Sequence, residues 1–176
     1  YILEMSEYRA RLVDLSHSIE SGMITYPGLP VPVITPHLTR ENSKSIYAPD
    51  TEFVMDIITM IGNTGTYLDS PYHRYADGAD LAALDLNTLV NLRAEVFHLD
   101  DSIERGIPAE VLYDRNLAGA AVLLHTGWDR FFGSTEYGVN APFLTESGAR
   151  YLAQVGVQLV GIDSVNIDDT QSGGTR

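Results

Sequence analysis

Asn63-Thr64-Gly65-Thr66-Tyr67-Leu68-Asp69-Ser70-Pro71-Tyr72-His73 concentrates the chemically capable residues of this chain and decides its fold. It follows directly on residues 53–60, Phe-Val-Met-Asp-Ile-Ile-Thr-Met, which have high strand propensity and little alternation, the pattern of a strand buried on both faces. Polar groups just beyond a buried strand are where α/β folds commonly place ligands. Gly65 admits a left-handed backbone that lets the chain approach a ligand closely, and Pro71 stiffens the loop that presents Asp69 and His73. Asp69 offers a carboxylate to a metal or to a histidine, and the imidazole of His73 suits proton transfer near neutrality. Together they can activate a water.

On either side of this stretch, strands and short helices alternate. Residues 11–16 read as a strand leading to His17 and a loop rich in Gly and Pro, and residues 31–35 as a strand that Pro32 restricts to a start or an edge. Downstream, residues 84–92 predict a short helix, 93–99 a strand, 108–113 a helix opening on proline, and 120–125 a buried strand. Residues 145–155 predict a helix capped by Thr145 with Leu152 and Val155 on its apolar face, and residues 157–163 a last strand. The expected architecture is α/β, with α+β as the alternative: a central mixed β-sheet flanked by a few helices in one domain over residues 1–176. Nothing in the chain reads as a linker or a repeat.

Composition narrows the function classes. At 44% hydrophobic and 20% charged residues, the 176-residue chain has the make-up of one globular core. Its 24 acidic residues against 11 basic ones give a formal charge of −13, and no Lys/Arg run offers a footprint for a phosphate backbone, so nucleic acid is not an expected partner. The acidic surplus reads as a solvated surface. No apolar run approaches the roughly 20 residues that span a bilayer, so no membrane partner is expected and a cytoplasmic location is the default. Without cysteine, any metal must be held by oxygen and nitrogen. The start at Tyr1 without an initiator Met and the polar, glycine-rich stretch 170–176 raise the expectation that one or both ends are incomplete.

With its spacing, the stretch 63–73 resembles the signature H-x-G-T-H-x-D-x-P-x-H of the cyclase family, which includes bacterial kynurenine formamidases and isatin hydrolase; Gly65, Thr66, Asp69, Pro71 and His73 match it. Val13-Asp14-Leu15-Ser16-His17, Tyr26-Pro27-Gly28, Leu124-His125-Thr126-Gly127-Trp128-Asp129, Val160-Gly161-Ile162-Asp163-Ser164 and Ile167-Asp168 extend the resemblance over nearly the whole chain. The resemblance implies the family's swivelling β/β/α-like fold, a homo-oligomer (dimer or tetramer), and hydrolysis of a C–N bond (amide or lactam) or a C–O bond (lactone) in a small substrate. It also implies a divalent metal, zinc or manganese, bound by the first two signature histidines and the aspartate, with the last histidine as general base. Carried over residue by residue, Asp69 is the surviving ligand and His73 the base. Asn63 and Tyr67 stand where the family has imidazoles, and an amide oxygen or a neutral phenol is a poor substitute on zinc. Magnesium or manganese held by Asp69, the Asn63 carbonyl and waters is the harder-cation alternative. The family draws a further histidine and glutamate from beyond the region matching Gly173-Gly174-Thr175-Arg176, where this sequence ends.

Several positions carry competing readings. Asp69 taken alone is an ordinary turn or capping residue, and the motif spacing makes it functional with His73. Asn63 and Tyr67 either contact substrate or bond to each other or to Asp69, filling the volume of the lost histidines. Tyr67 with His73 would form the acid–base pair of a metal-free enzyme. His17 is either part of the substrate-side wall or a loop residue, and Trp128 either lines an aromatic pocket or fills a core. His125 reads as a strand-end histidine, His37 and His98 as structural or surface residues, and Asp163 and Asp168 as loop-fixing carboxylates. An inactive or metal-free relative that binds a small molecule is the alternative to the hydrolase.

Overall fold

The computed structural model describes residues 12–102 and 104–171. Its elements, in chain order, are β1 (Val33–Leu38), α1 (Arg40–Ser43), β2 (Met55–Thr59), β3 (Ala94–His98), β4 (Gly106–Ile107), β5 (Ala121–His125), β6 (Phe143–Leu144), α2 (Glu146–Gln154) and β7 (Leu159–Ile162), joined by loops with short 3-10 turns. The α/β class stands. Among the described residues the strands divide into three sheets instead of one: an antiparallel β1–β2 ribbon, a parallel sheet in the order β3-β5-β7, and a parallel β4–β6 pair.

Strand β5 is the centre of the molecule. Val122 and Leu124 are buried, and Phe97, Ile107, Leu112, Leu117, Leu144 and Leu152 join them in one core between the parallel sheet, β4–β6 and α2. A strand paired on both edges and covered by a helix needs apolar side chains on successive residues, which is what Ala-Val-Leu-Leu supplies. Helix α2 forms as its sequence predicts. Thr145 caps it by accepting from the Gly148 amide (3.3 Å), Leu152 is buried, Val155 packs on the core, and Gly156 at φ +79° ends the turn. Gly148 is required by proximity, since a Cβ there would stand 2.7 Å from the Ile107 carbonyl oxygen.

Four further expectations change. Residues 12–16 form no strand: Leu12 and Leu15 are exposed and, among the described residues, pair with no neighbouring strand, while Arg11 lies outside the described residues, as does the Gly173–Arg176 stretch. Strand β2 forms within residues 53–60 but is not buried on both faces. Ile57 and Ile58 are 50% and 61% exposed, because among the described residues β2 belongs to a two-stranded ribbon with no layer covering it. Residues 84–92 carry only a 3-10 turn at Leu86–Thr88, since the Asp85 carboxylate accepts from the Asn87 amide (2.9 Å) and Asn91 takes φ +55°, both of which compete with helix. Residues 108–113 likewise form a 3-10 turn, Ala109–Leu112, after Pro108. Of the remaining predicted strands, β3, β5 and β7 lie within their expected segments, while β1 begins just after Pro32 and runs to Leu38, beyond the expected residues 31–35. The β4–β6 pair, at 2 residues a strand, is too short to leave a pattern in sequence.

Candidate functional site

The signature stretch leaves β2 and folds into a loop held at several points. Gly65 takes φ +67°, as its place in the motif predicts, and a Cβ there would press on Ile19 at 3.2 Å. Thr66 accepts a hydrogen bond from the His17 amide (3.2 Å), which ties the loop to the segment before it. Thr64 is buried and donates to the Ile61 carbonyl (2.7 Å). Pro71 opens a 3-10 turn, Pro71–His73, in which the His73 amide donates to Ser70 O (2.9 Å). Its fixed φ suits the first position of such a turn. Arg74, directly after the turn, donates to Asp168 at 3.2 Å, an exposed pair that joins this loop to the segment beyond β7.

Within this frame Asp69 Oδ1 lies 3.5 Å from His73 Nδ1 and 3.4 Å from Asn63 Nδ2. The three residues line an open cleft of about 480 Å³ together with Leu68, Tyr72 and Asp80. Asp69 and His73 are each about half-exposed, so a water has free access to the imidazole. The other sequence-predicted site residues stand elsewhere. Tyr67 does not line the cleft; it lies close enough to Tyr137 to act on that phenol's titration. His17 stacks on Phe132, with centroids 3.9 Å apart and rings nearly parallel. Trp128 packs beside Phe131 and donates through Nε1 to the Tyr137 carbonyl (2.9 Å), within the smaller core of Tyr137, Ala141 and Val165. The structure therefore brings Asn63, Asp69 and His73 together and gathers Tyr67, His17 and Trp128 around a separate aromatic group.

Tyr137 links that group to the parallel sheet. Burial, followed by the charges of Asp163, Tyr67 and Asp129, pushes its phenol well above the ordinary tyrosine range. Asp163, just past β7, accepts from the Thr126 amide (2.8 Å), the Thr126 hydroxyl (2.5 Å) and the Gly127 amide (2.7 Å), fixing the turn that follows β5. Gly127 holds φ +68° in that turn.

The donor set of the signature stretch does not fit a zinc ion. Asp69 is its one strong anionic ligand, the Asn63 amide nitrogen faces that carboxylate, and Tyr67 lies outside the cleft. Among the described residues, the groups of three His or Asp donors that lie within 4.8 Å of one another are His98, Asp100 and His125, and His125, Asp129 and Asp163; neither includes Asp69. His98 and His125 escaped the sequence reading because no motif joins them. The available signal was positional: His125 ends one predicted strand and His98 stands one residue before the end of another, and a parallel pairing of those strands would set them side by side.

Similarity to known proteins agrees with this architecture. The cyclase family model matches residues 13–169. The kynurenine formamidase of Geobacillus thermodenitrificans (strain NG80-2) is 30% identical over 163 residues, covering 91% of this chain and 71% of that protein. A solved structure of a potential metal-dependent hydrolase with cyclase activity superposes with a TM-score of 0.70 at 26% identity, covering 92% of this chain and 71% of that one. An isatin hydrolase bound to the product analogue thioisatinate shares the fold, with a TM-score of 0.72 at 20% identity over 92% of this chain and 70% of its own. Signature spacing, fold and family match converge: the chain belongs to the cyclase family, a group of hydrolases.

Proposed function

We propose that this chain hydrolyses a C–N bond (amide or lactam) or a C–O bond (lactone) of a small substrate in the cleft beside Asp69 and His73. The observation that carries the reading is the Asp69–His73 pair, 3.5 Å apart at the mouth of that cleft and in the register of the family's aspartate and last histidine. Asp69 orients the imidazole through Nδ1, leaving Nε2 to take a proton from water. The water oxygen bonds to the carbonyl carbon, the C–N or C–O bond breaks, and the proton held by His73 passes to the departing nitrogen or oxygen. No step is assigned to a metal at this place, because the residues present do not offer the ligands for one. A homo-oligomer completes the proposal; the exposed Ile57 and Ile58 of the β1–β2 ribbon support it, since a second surface would remove them from water.

The Asn63 contact favours a second reading. An amide directed at Asp69 from 3.4 Å competes with His73 for the carboxylate, as in a relative that binds its ligand without turning it over. Hydrolysis assays on an aryl formamide, a lactam and a lactone, with binding followed by thermal shift, separate the two. Turnover of one class by the wild-type chain, reduced about 100-fold or more in His73→Ala, is expected. Binding without turnover establishes the second reading, and equal rates in wild type and His73→Ala overturn the role of His73.

A further inference from the structure

We propose a divalent transition-metal site, of the zinc type, at His98, Asp100 and His125, on the C-terminal edge of the parallel sheet and separate from the signature cleft. Strands β3 and β5 pair in parallel with His98 opposite His125 in register, so the last residues of the two strands present their imidazoles side by side. The two Nδ1 atoms are 3.2 Å apart and the rings meet edge to face, with centroids 5.2 Å apart. Two nitrogens bound tetrahedrally to zinc, each about 2.05 Å away, lie about 3.3 Å from each other. The imidazoles therefore already stand at the separation a shared ion imposes. Asp100, just past the end of β3, places Oδ1 at 3.9 Å from His125 Nδ1, and its side chain is 47% exposed, so a small rotation brings it into a zinc shell.

Without a cation the same contact requires one Nδ1 to carry a proton and the other to accept it; a cation replaces that proton and uses both lone pairs. His125 also neighbours Asp129 and Asp163, but the Asp163 oxygens already accept from Thr126 and Gly127. The first group is thus the one whose donors converge without competing bonds of that kind. Two histidines and a carboxylate leave a fourth position to water, and the half-exposed His125 and Asp100 place that position on the solvent side.

The test uses the full chain, stripped with chelator, dialysed, and titrated with zinc by calorimetry in parallel with His98→Ala, His125→Ala and Asp69→Ala. The expected result is one zinc per chain, weakened more than about tenfold in each histidine variant and unchanged in Asp69→Ala. Imidazole NMR of the unmutated chain provides a readout that needs no variant: zinc should shift the His98 and His125 resonances and leave His37 in place. No zinc uptake by the wild-type chain, equal affinity in the histidine variants, loss of binding in Asp69→Ala alone, or resonance shifts confined to His73 would each overturn the assignment. Hydrolytic activity plays no part in the readout, so the result stands apart from the role proposed for His73.

Discussion

Removing the Asp163 carboxylate should cost more stability than any other single change at the end of the parallel sheet. It accepts bonds from the Thr126 amide at 2.8 Å, the Thr126 hydroxyl at 2.5 Å and the Gly127 amide at 2.7 Å. A hydrogen bond to a charged group contributes about 1.5–3 kcal/mol net, and a buried donor left unpaired costs about 1–3 kcal/mol. Thr126 is buried, so water cannot easily take the place of the carboxylate there, whereas Gly127 is only partly covered. The three bonds hold one turn and are not additive, which places Asp163→Ala at about 3–4 kcal/mol. With a urea slope of roughly 2 kcal/mol/M, the unfolding midpoint should fall by about 1.5–2 M. Asp163→Asn should fall between wild type and alanine: its amide oxygen can still accept from Thr126, but its NH2 then faces the Gly127 N–H, donor against donor. Urea denaturation followed by circular dichroism measures all three, with exposed Asp77→Ala as a control expected within about 0.5 kcal/mol of wild type. An Asp163→Ala loss below about 1 kcal/mol would refute the reasoning, because the turn would then be held by something other than this carboxylate.

Gly78→Ala should displace the loop that carries His73. A Cβ at Gly78 would lie 2.7 Å from the Pro71 carbonyl carbon and 2.8 Å from its oxygen, and these are backbone atoms that cannot swing aside. A stability loss of about 1–3 kcal/mol in urea denaturation, together with a shifted His73 imidazole signal by NMR, is expected; an unchanged signal argues against the close approach. Tyr137 governs an alkaline effect whose sign follows from its raised phenol. The unfolded chain releases that proton near pH 10 while the folded chain still holds it, so the stabilisation is complete below about pH 10 and declines as pH rises above it. Tyr137→Phe should therefore lose less stability than wild type between about pH 9 and pH 11, and parallel declines in denaturation midpoints across that range would show that Tyr137 does not contribute.

Local chemistry was legible wherever it governed the backbone by itself. The Thr145 cap, the left-handed Gly65, the proline-opened turn before His73 and the apolar run of β5 all follow from side-chain chemistry within a few residues. The motif spacing likewise placed Asp69 beside His73, because residues four apart across a short turn meet whatever surrounds them. Composition overstated the burial of β2: β-branched residues specify a strand, but a covering layer is a property of the whole arrangement. In the same way, the helix read over 84–92 yielded to side-chain bonds from Asp85 that propensity does not count.

By itself the sequence determined the α/β class, the family and the loop that unites Asp69 with His73, since each rests on contacts between near neighbours or on fixed spacing. Only the tertiary structure decided that Tyr67 stands near Tyr137 instead of lining the cleft and that Asp163 holds the turn after β5. The same is true of the meeting of His98 and His125 with their ring nitrogens 3.2 Å apart. The last two of these depend on the register of parallel strands that are distant in the chain. Register is set by packing of the shared core, which no local pattern records.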